Sequence, residues 1–330
     1  MRKVVFKIGI IGCGAVVEAF YLPAIQRIKK LKITALVDKN LNRARKLRGG
    51  LNQQIFVTTE YKEIISKVDI VIIALPHFLH APVSLFFLKH KIHVLCEKPM
   101  ALNPTQAKEM IKTEVDNKVK LAIGMMRRQF SVTAKIKKII QSNYLGKIIS
   151  FDYEEGFPYD WPVQSKFIFD KNQAGGGVLI DMGAHVVDLL VHLFRPFGEL
   201  KIADYRDDNY GGVEANCIFN MIVGDIKGRI ELSNDRRLRN TFRINFTKGL
   251  LELPSGGLTD MRISIDNKKE TFITTETFID AFYKQLNEFI RAIYTNSSKY
   301  VAGKDVLTSI ELIHYCYKNK KQIYEPWYTV

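Results

Sequence analysis

"IGIIGCGAVVEAF", residues 8–20, decides the fold. An apolar run rich in isoleucine ends in Gly12 and Gly14, and a helical pattern follows at once. A strand buried on both faces of a parallel sheet reads this way. The turn after it needs small residues, because the backbone bends sharply there and a pyrophosphate comes close. A helix opening at that point offers free N–H groups and the positive end of its dipole. The stretch therefore predicts a dinucleotide site built from Gly12, Gly14, Ala15 and Val16. Val17 stands where the third glycine of GxGxxG would be, so the match is partial.

The neighbouring segments extend this pattern. "KITALVD" reads as the second strand and ends in Asp38, 24 residues beyond Gly14. A carboxylate at that place accepts from a ribose 2′-hydroxyl and repels a 2′-phosphate, which favours NAD over NADP. Lys39 and Arg43 stand close by in sequence, and helix capping is the competing role for Asp38. "VDIVIIALP", "IHVLCEKP" and "VKLAIGM" read as further strands. Between them lie helical stretches, "LNRARKLRG", "APVSLFFLKHK" and "PTQAKEMIKTEVDNK". Strand–helix alternation with buried strands predicts a doubly wound parallel sheet, a Rossmann domain over residues 1–124. From about Lys147 the period becomes two, as in "EANCIFNMIV" and "NTFRINFT". Residues 125–330 therefore read as a second α/β domain around a mostly antiparallel sheet.

Two further stretches carry chemistry. "IHVLCEKPM" ends a parallel strand in Cys96, Glu97, Lys98 and Pro99. Strand carboxyl ends form the ligand crevice of an open α/β sheet, so Glu97 and Lys98 are placed for a site. "GGGVLIDMGAHVVDLL", residues 175–190, leads three glycines into an apolar helix. Asp181 and His185 are neighbours on one face, and Asp188 and His192 continue the stripe. A carboxylate beside an imidazole fixes its tautomer and raises its basicity. The glycines would let a ligand approach the backbone. No further His, Cys or Glu cluster completes a metal shell, so no metal is expected.

Bulk properties bound the rest. The chain has 330 residues, enough for two domains, and its 47% apolar content suits a globular protein. No apolar run reads as long enough to span a bilayer. The basic, apolar start resembles a signal peptide, but Lys7 interrupts it and a glycine turn replaces the cleavage site, so a first buried strand is expected. Cys13, Cys96, Cys217 and Cys316 are scattered without a CxxC pair, which fits a reducing cytoplasm. The net charge of +15 is spread along the chain, with no nucleic-acid-binding motif; a solvated lysine-rich surface or attraction of an anionic substrate accounts for it.

Taken together, these marks resemble the Gfo/Idh/MocA oxidoreductases. They appear in family order: the "GIIGCG" turn, the "ALVD" strand end, "LPHFLH", "HVLCEKP", "GMMRR", and the GGGxLxDxGxH helix. Met126 stands where the family has an asparagine. The resemblance implies a large open sheet in the second domain, serving substrate binding and contact between copies in a homodimer or homotetramer. It implies a nicotinamide cofactor contacted also by Leu75, Pro76, His80, Glu97 and Lys98, and a cis peptide before Pro99. The catalytic residues it implies are Lys98, Asp181 and His185, which would also bind substrate, with Arg127 and with Trp161 of "EEGFPYDWP". The substrate is a sugar, cyclitol or nucleotide sugar whose secondary alcohol and ketone interconvert, with no nucleic-acid or membrane partner. Two alternatives stand beside this: a redox-neutral glycosidase on the same scaffold, and a non-catalytic sensor of sugar or NAD. Fold alone does not choose between them.

Overall fold

The computed structural model describes residues 5–51, 54–162, 165–209, 212–256, 259–266, 268–295, 297 and 299–323. Helices in chain order are α1 (Leu22–Gln26), α2 (Leu41–Gly49), α3 (His80–Lys89), α4 (Pro104–Asn117), α5 (Ser131–Ser142), α6 (Lys171–Ala174), α7 (Val178–Phe194), α8 (Phe278–Thr295) and α9 (Gly303–Lys318). The chain folds into two compact units. The first comprises Met1–Met126, Pro162–Ile168 and Thr277–Ile310, and the second Arg127–Trp161, Phe169–Glu276 and Glu311–Val330.

The first unit is built on six parallel strands: β1 (Phe6–Ile11), β2 (Leu31–Val37), β3 (Phe56–Thr58), β4 (Ile70–Ile73), β5 (His93–Cys96) and β6 (Leu121–Ile123). Their order is β3-β2-β1-β4-β5-β6, the doubly wound Rossmann order. Every residue of β4 and β6 is buried, as continuous apolar runs require when both faces are covered. Helix α4 shows how local signals set its limits. The Asn103 side chain accepts from the Gln106 N–H at 3.0 Å, Pro104 opens the first turn, and Lys118 ends the helix in the left-handed region. The helix expected from Ala15 onward runs through a π turn, Val17–Tyr21, before α1.

The division of the chain differs from the expected boundary at residue 124. Residues 277–310, expected in the second domain, belong to the first unit. The cause is the apolar stripe of α8, which needs a partner and finds it near the start of the chain. Phe282 stacks on Phe20 at 5.0 Å and meets Tyr21 edge-on at 4.9 Å. Arg27 pairs with Asp280 at 2.8 Å, and the Ile123 N–H donates to the Val301 carbonyl at 3.0 Å.

The second unit carries nine strands: β7 (Ile148–Gly156), β8 (Leu200–Asp207), β9 (Asn216–Val223), β10 (Ile226–Ser233), β11 (Thr241–Phe246), β12 (Gly249–Pro254), β13 (Met261–Ile265), β14 (Lys268–Phe272) and β15 (Lys321–Gln322). They form one sheet in the order β14-β13-β12-β11-β7-β10-β9-β8-β15. Only β7 with β10 and β8 with β15 pair in parallel; the other pairings are antiparallel. Alternation places Phe151, Tyr153, Phe219, Met221, Ile230, Phe242 and Ile244 in the core. Helix α7 covers this face on β9 and β10, and Phe194 stacks on Phe151 at 4.5 Å. Contrary to the sequence reading, one helical run, Lys171–Phe197, is long and apolar enough to cross a bilayer. Its apolar side chains are instead buried in this core, which explains its composition.

Candidate active site

In the first unit the strand ends bring the glycine turn, the "LPHFLH" segment and the Glu97–Lys98–Pro99 turn together. Gly12 has φ +92°, and a Cβ there would lie 2.0 Å from the Ala74 carbonyl oxygen, so only glycine fits. Gly14 is different: a Cβ there would meet no atom of the described residues within 4 Å. The N–H groups of Val17 and Glu18 both donate to the Gly14 carbonyl at 3.1 Å, so the helix starts directly at the turn. The open space at Gly14 beside the first-turn residues Ala15 and Val16 fits a dinucleotide pyrophosphate.

Asp38 follows β2 and is buried. Its Oδ2 accepts from the Cys13 N–H and its Oδ1 from the Asn40 N–H, both at 2.8 Å. The Arg43 guanidinium lies 4.0 Å away. The cap of α2 is Asn40, whose side chain accepts from the Asn42 N–H. Asp38 is thus not the side-chain cap; it ties the strand end to the glycine turn.

Leu75 and Pro76 are half-buried after β4, whereas His80 is buried. Its Nδ1 lies 2.7 Å from the Pro99 carbonyl oxygen and its Nε2 2.8 Å from that of Leu75. Burial pushes this imidazole down to about 4, so at neutral pH the ring is neutral and donates to one of the two carbonyls. His80, expected at the cofactor, is thus buried between two backbone turns and donates to one of them.

Lys98 is half-buried, and the peptide before Pro99 is cis, as the resemblance implies. Glu97 is buried. It accepts from the Tyr21 hydroxyl at 2.6 Å and from the Lys98 N–H at 3.0 Å. Burial raises its pKa, while the Tyr21 hydrogen bond and the Lys98 charge oppose the rise.

The other expected residues lie in the second unit. Helix α7 buries most of its length and leaves Asp181, Met182, His185 and His192 only half-buried. Tyr159 is close enough for the Asp181 charge, added to burial, to raise its phenol. The lower half of the stripe serves a different end. Asp188 is 1% exposed and accepts from Arg128 at 2.7 and 2.6 Å. Burial, helped by Arg128 and Lys137, pushes His192 down to about 3.

Two expectations need correction. Arg127, expected at the substrate, is buried and bonded within the core. Its two terminal nitrogens donate to Glu155 at 2.7 and 2.8 Å, and one also donates to Tyr153 at 2.7 Å. The three glycines before α7 were expected to admit a ligand, but the chain itself fills their space. Gly175 has φ +87° and ends α6; a Cβ on Gly176 would lie 2.1 Å from the Tyr317 hydroxyl; one on Gly177 would lie 1.8 Å from the Glu214 carbonyl oxygen. Glu214 then caps α7, accepting from the Leu179 N–H at 3.1 Å and from Tyr317 at 2.7 Å. Trp161 is 42% exposed.

Sequence reasoning missed Glu214, Tyr317, Glu155, Tyr21 and Gln285. An acidic residue inside "GGVEANC" or a glutamine on an amphipathic helix carries no local signal of its partner.

Comparison with known proteins places this geometry. Residues 6–125 match an oxidoreductase family with an NAD-binding Rossmann fold, and residues 133–252 match the GFO/IDH/MocA C-terminal domain. Glucose-6-phosphate 3-dehydrogenase of Bacillus subtilis is 32% identical over 194 residues, 57% of this chain and 54% of that protein. The D-glucoside 3-dehydrogenase of Escherichia coli is 28% identical over 64% of this chain and 60% of its own length. The chain therefore spans a little over half the length of these two relatives in the matched stretch. Among solved structures, a 3-ketoreductase from Actinomadura kijaniata, in complex with NADP and TDP-benzene, superposes with TM-score 0.86 at 19% identity, covering 98% of this chain and all of that one. The aldose–aldose oxidoreductase of Caulobacter crescentus, complexed with glycerol, gives TM-score 0.85 at 21% identity over 96% of this chain and 97% of its own. These two likenesses establish the fold.

Proposed function

This chain belongs to the Gfo/Idh/MocA oxidoreductase family, and on that premise we propose that it interconverts a secondary alcohol and a ketone on a sugar or related polyol, using NAD. One observation carries the reading: α7 is a core helix that keeps Asp181 and His185 half-open, while Asp188, the next carboxylate on the stripe, is buried and paired with Arg128. A buried helix spends little surface on ionisable groups unless they meet something. The relatives named for oxidation or reduction at a 3-position point to a ring hydroxyl as the reacting group.

Gly12, Gly14, Ala15, Val16, Asp38, Leu75, Pro76 and Glu97 would line the cofactor, which supplies the hydride acceptor when bound. The remaining chemistry belongs to side chains. The Lys98 ammonium bonds the reacting oxygen and stabilises negative charge as it develops there. His185 takes the hydroxyl proton, since an imidazole with a reference pKa of about 6.5 is half-ready to accept at working pH. Asp181 orients His185 or holds a neighbouring hydroxyl. The Asp38 carboxylate favours an unphosphorylated ribose and hence NAD. In the same reading the open face of the nine-stranded sheet joins copies of the chain, and four buried free thiols suit the reducing cytoplasm.

The test is nicotinamide absorbance with a panel of sugars, cyclitols, sugar phosphates and nucleotide sugars, run with NAD and with NADH. We expect a substrate-dependent change that Lys98→Ala and His185→Ala each reduce by about 100-fold or more while NAD still binds. A silent panel with clear NAD binding would remove the dehydrogenase reading. Near-normal turnover in either variant would remove that residue from the mechanism.

A further inference from the structure

We propose that Tyr21 and Gln285 are positioning residues for Lys98, acting through Glu97 as a buried hydrogen-bonded chain that runs from helix α8 to the end of strand β5. The inference rests on reading Lys98 as the group that meets the reacting oxygen.

The chain of contacts is continuous. The Gln285 side-chain amide donates to the Tyr21 hydroxyl at 3.3 Å, and that hydroxyl donates to Glu97 Oε1 at 2.6 Å. Glu97 Oε2 accepts from the backbone N–H of Lys98 at 3.0 Å. Gln285, Tyr21 and Glu97 are 3%, 0% and 8% exposed. The pocket around the carboxylate is tight: a Cβ on Gly124 would lie 2.7 Å from Glu97 Oε1. Phe282, one turn before Gln285, packs edge-on against the Tyr21 ring and fixes its direction.

Simple packing does not explain the chain. Among the described residues, the Gln285 carbonyl oxygen is buried with no hydrogen-bond partner. Such an orphan acceptor costs stability, and leucine would fill the same space without that cost. What the amide does contribute is a donor to Tyr21, which leaves the phenol proton for Glu97. Tyr21 thereby favours the ionised carboxylate, against the burial that disfavours it. The groups facing Glu97 are Tyr21 and Lys98, with the Cys96 thiol near the phenol. A fixed anion at this place holds the Lys98 backbone turn and draws the ammonium toward one direction, the arrangement needed to stabilise a developing alkoxide.

The test reads Lys98 directly and needs no substrate. Competitive labelling of the full chain with acetic anhydride, followed by peptide mass spectrometry, gives the rate at Lys98 relative to the exposed Lys62. Labelling needs the Lys98 amine free to meet the reagent, so a side chain drawn toward the Glu97 carboxylate labels slowly. Tyr21→Phe and Gln285→Leu should each raise the relative rate about threefold, with a melting temperature that does not fall in Gln285→Leu. With a substrate from the screen, both variants should lower kcat more than they change KM. The acid limb of the kcat profile should also move to higher pH, because a carboxylate deprived of the Tyr21 bond protonates more readily. Unchanged Lys98 labelling in a folded Gln285→Leu protein overturns the proposal, as does a loss of stability in both variants with labelling and pH profile unmoved. Absence of turnover in the wild-type protein counts against the dehydrogenase reading alone, and the labelling still decides this one.

Discussion

Two glycine-rich turns lead into helices in this molecule, and they are not alike. At Gly14 an added Cβ would enter open space; at Gly177 it would strike the Glu214 carbonyl oxygen at 1.8 Å. At Gly14 the first turn leaves room that none of the described residues occupies. The second has already used its room to seat Glu214 and Tyr317 against the start of α7. A glycine before a helix therefore has two meanings, approach of a ligand or approach of the chain itself. Sequence spacing does not separate them.

Substitution at each turn breaks or sharpens this contrast. Gly177→Ala should have the largest effect, because the clash is with backbone and nothing flexible can give way. We expect a loss of about 3 kcal/mol or more, or failure to fold, measured by urea unfolding. A variant of near-wild-type stability would mean that the second turn has slack and that its glycines do serve a ligand. Gly14→Ala should leave the unfolding midpoint unchanged and weaken NAD binding about tenfold by fluorescence titration. Equal NAD affinity in that variant would erase the contrast from the other side.

The stripe on α7 repeats the lesson at smaller scale. Asp181 with His185 and Asp188 with His192 look equivalent by spacing, yet Arg128 claims Asp188 with two hydrogen bonds. The same guanidinium, with burial and Lys137, holds His192 neutral down to about 3. This fixes a sign. The folded-state pKa of His192 is depressed, so the unfolded chain binds the extra proton and stability falls as pH drops below about 6.5 toward 3. His192→Gln should reduce that loss by a modest amount between about pH 6.5 and about pH 3, measured as the change in unfolding midpoint. An identical acid dependence in the variant would assign the loss to other groups.

Much of the first unit is legible in the chain because its physics is local. Strands such as "IVII" (β4) and "LAI" (β6) are apolar throughout, since helices cover both faces, and each ends where a turn must form. The cap at Asn103 and the period-two pattern of β11 are equally local. The candidate site was legible only as residue types. Lys98, Asp181 and His185 stand out because charged groups at strand ends and on apolar helices are rare. Arg127 entered only through the family resemblance of "GMMRR", and Glu155 on β7 encloses it. The amphipathic stripe of α8 announced a buried face, while its partner near Tyr21 lies more than 250 residues away.

By itself, then, the sequence determined the two architectures, the strand order's starting motif and the short list of chemical side chains. Each of these follows from periodicity, turn geometry and residue chemistry within a few neighbours. Tertiary structure alone decided which of those side chains are spent on one another. Gly14 stays open and Gly177 is filled, Asp188 is paired within the core, and Glu97 is held by Tyr21 and Gln285. The physical reason is that burial and pairing depend on what the rest of the chain brings alongside, and contacts between residues distant in sequence leave no periodic trace in it.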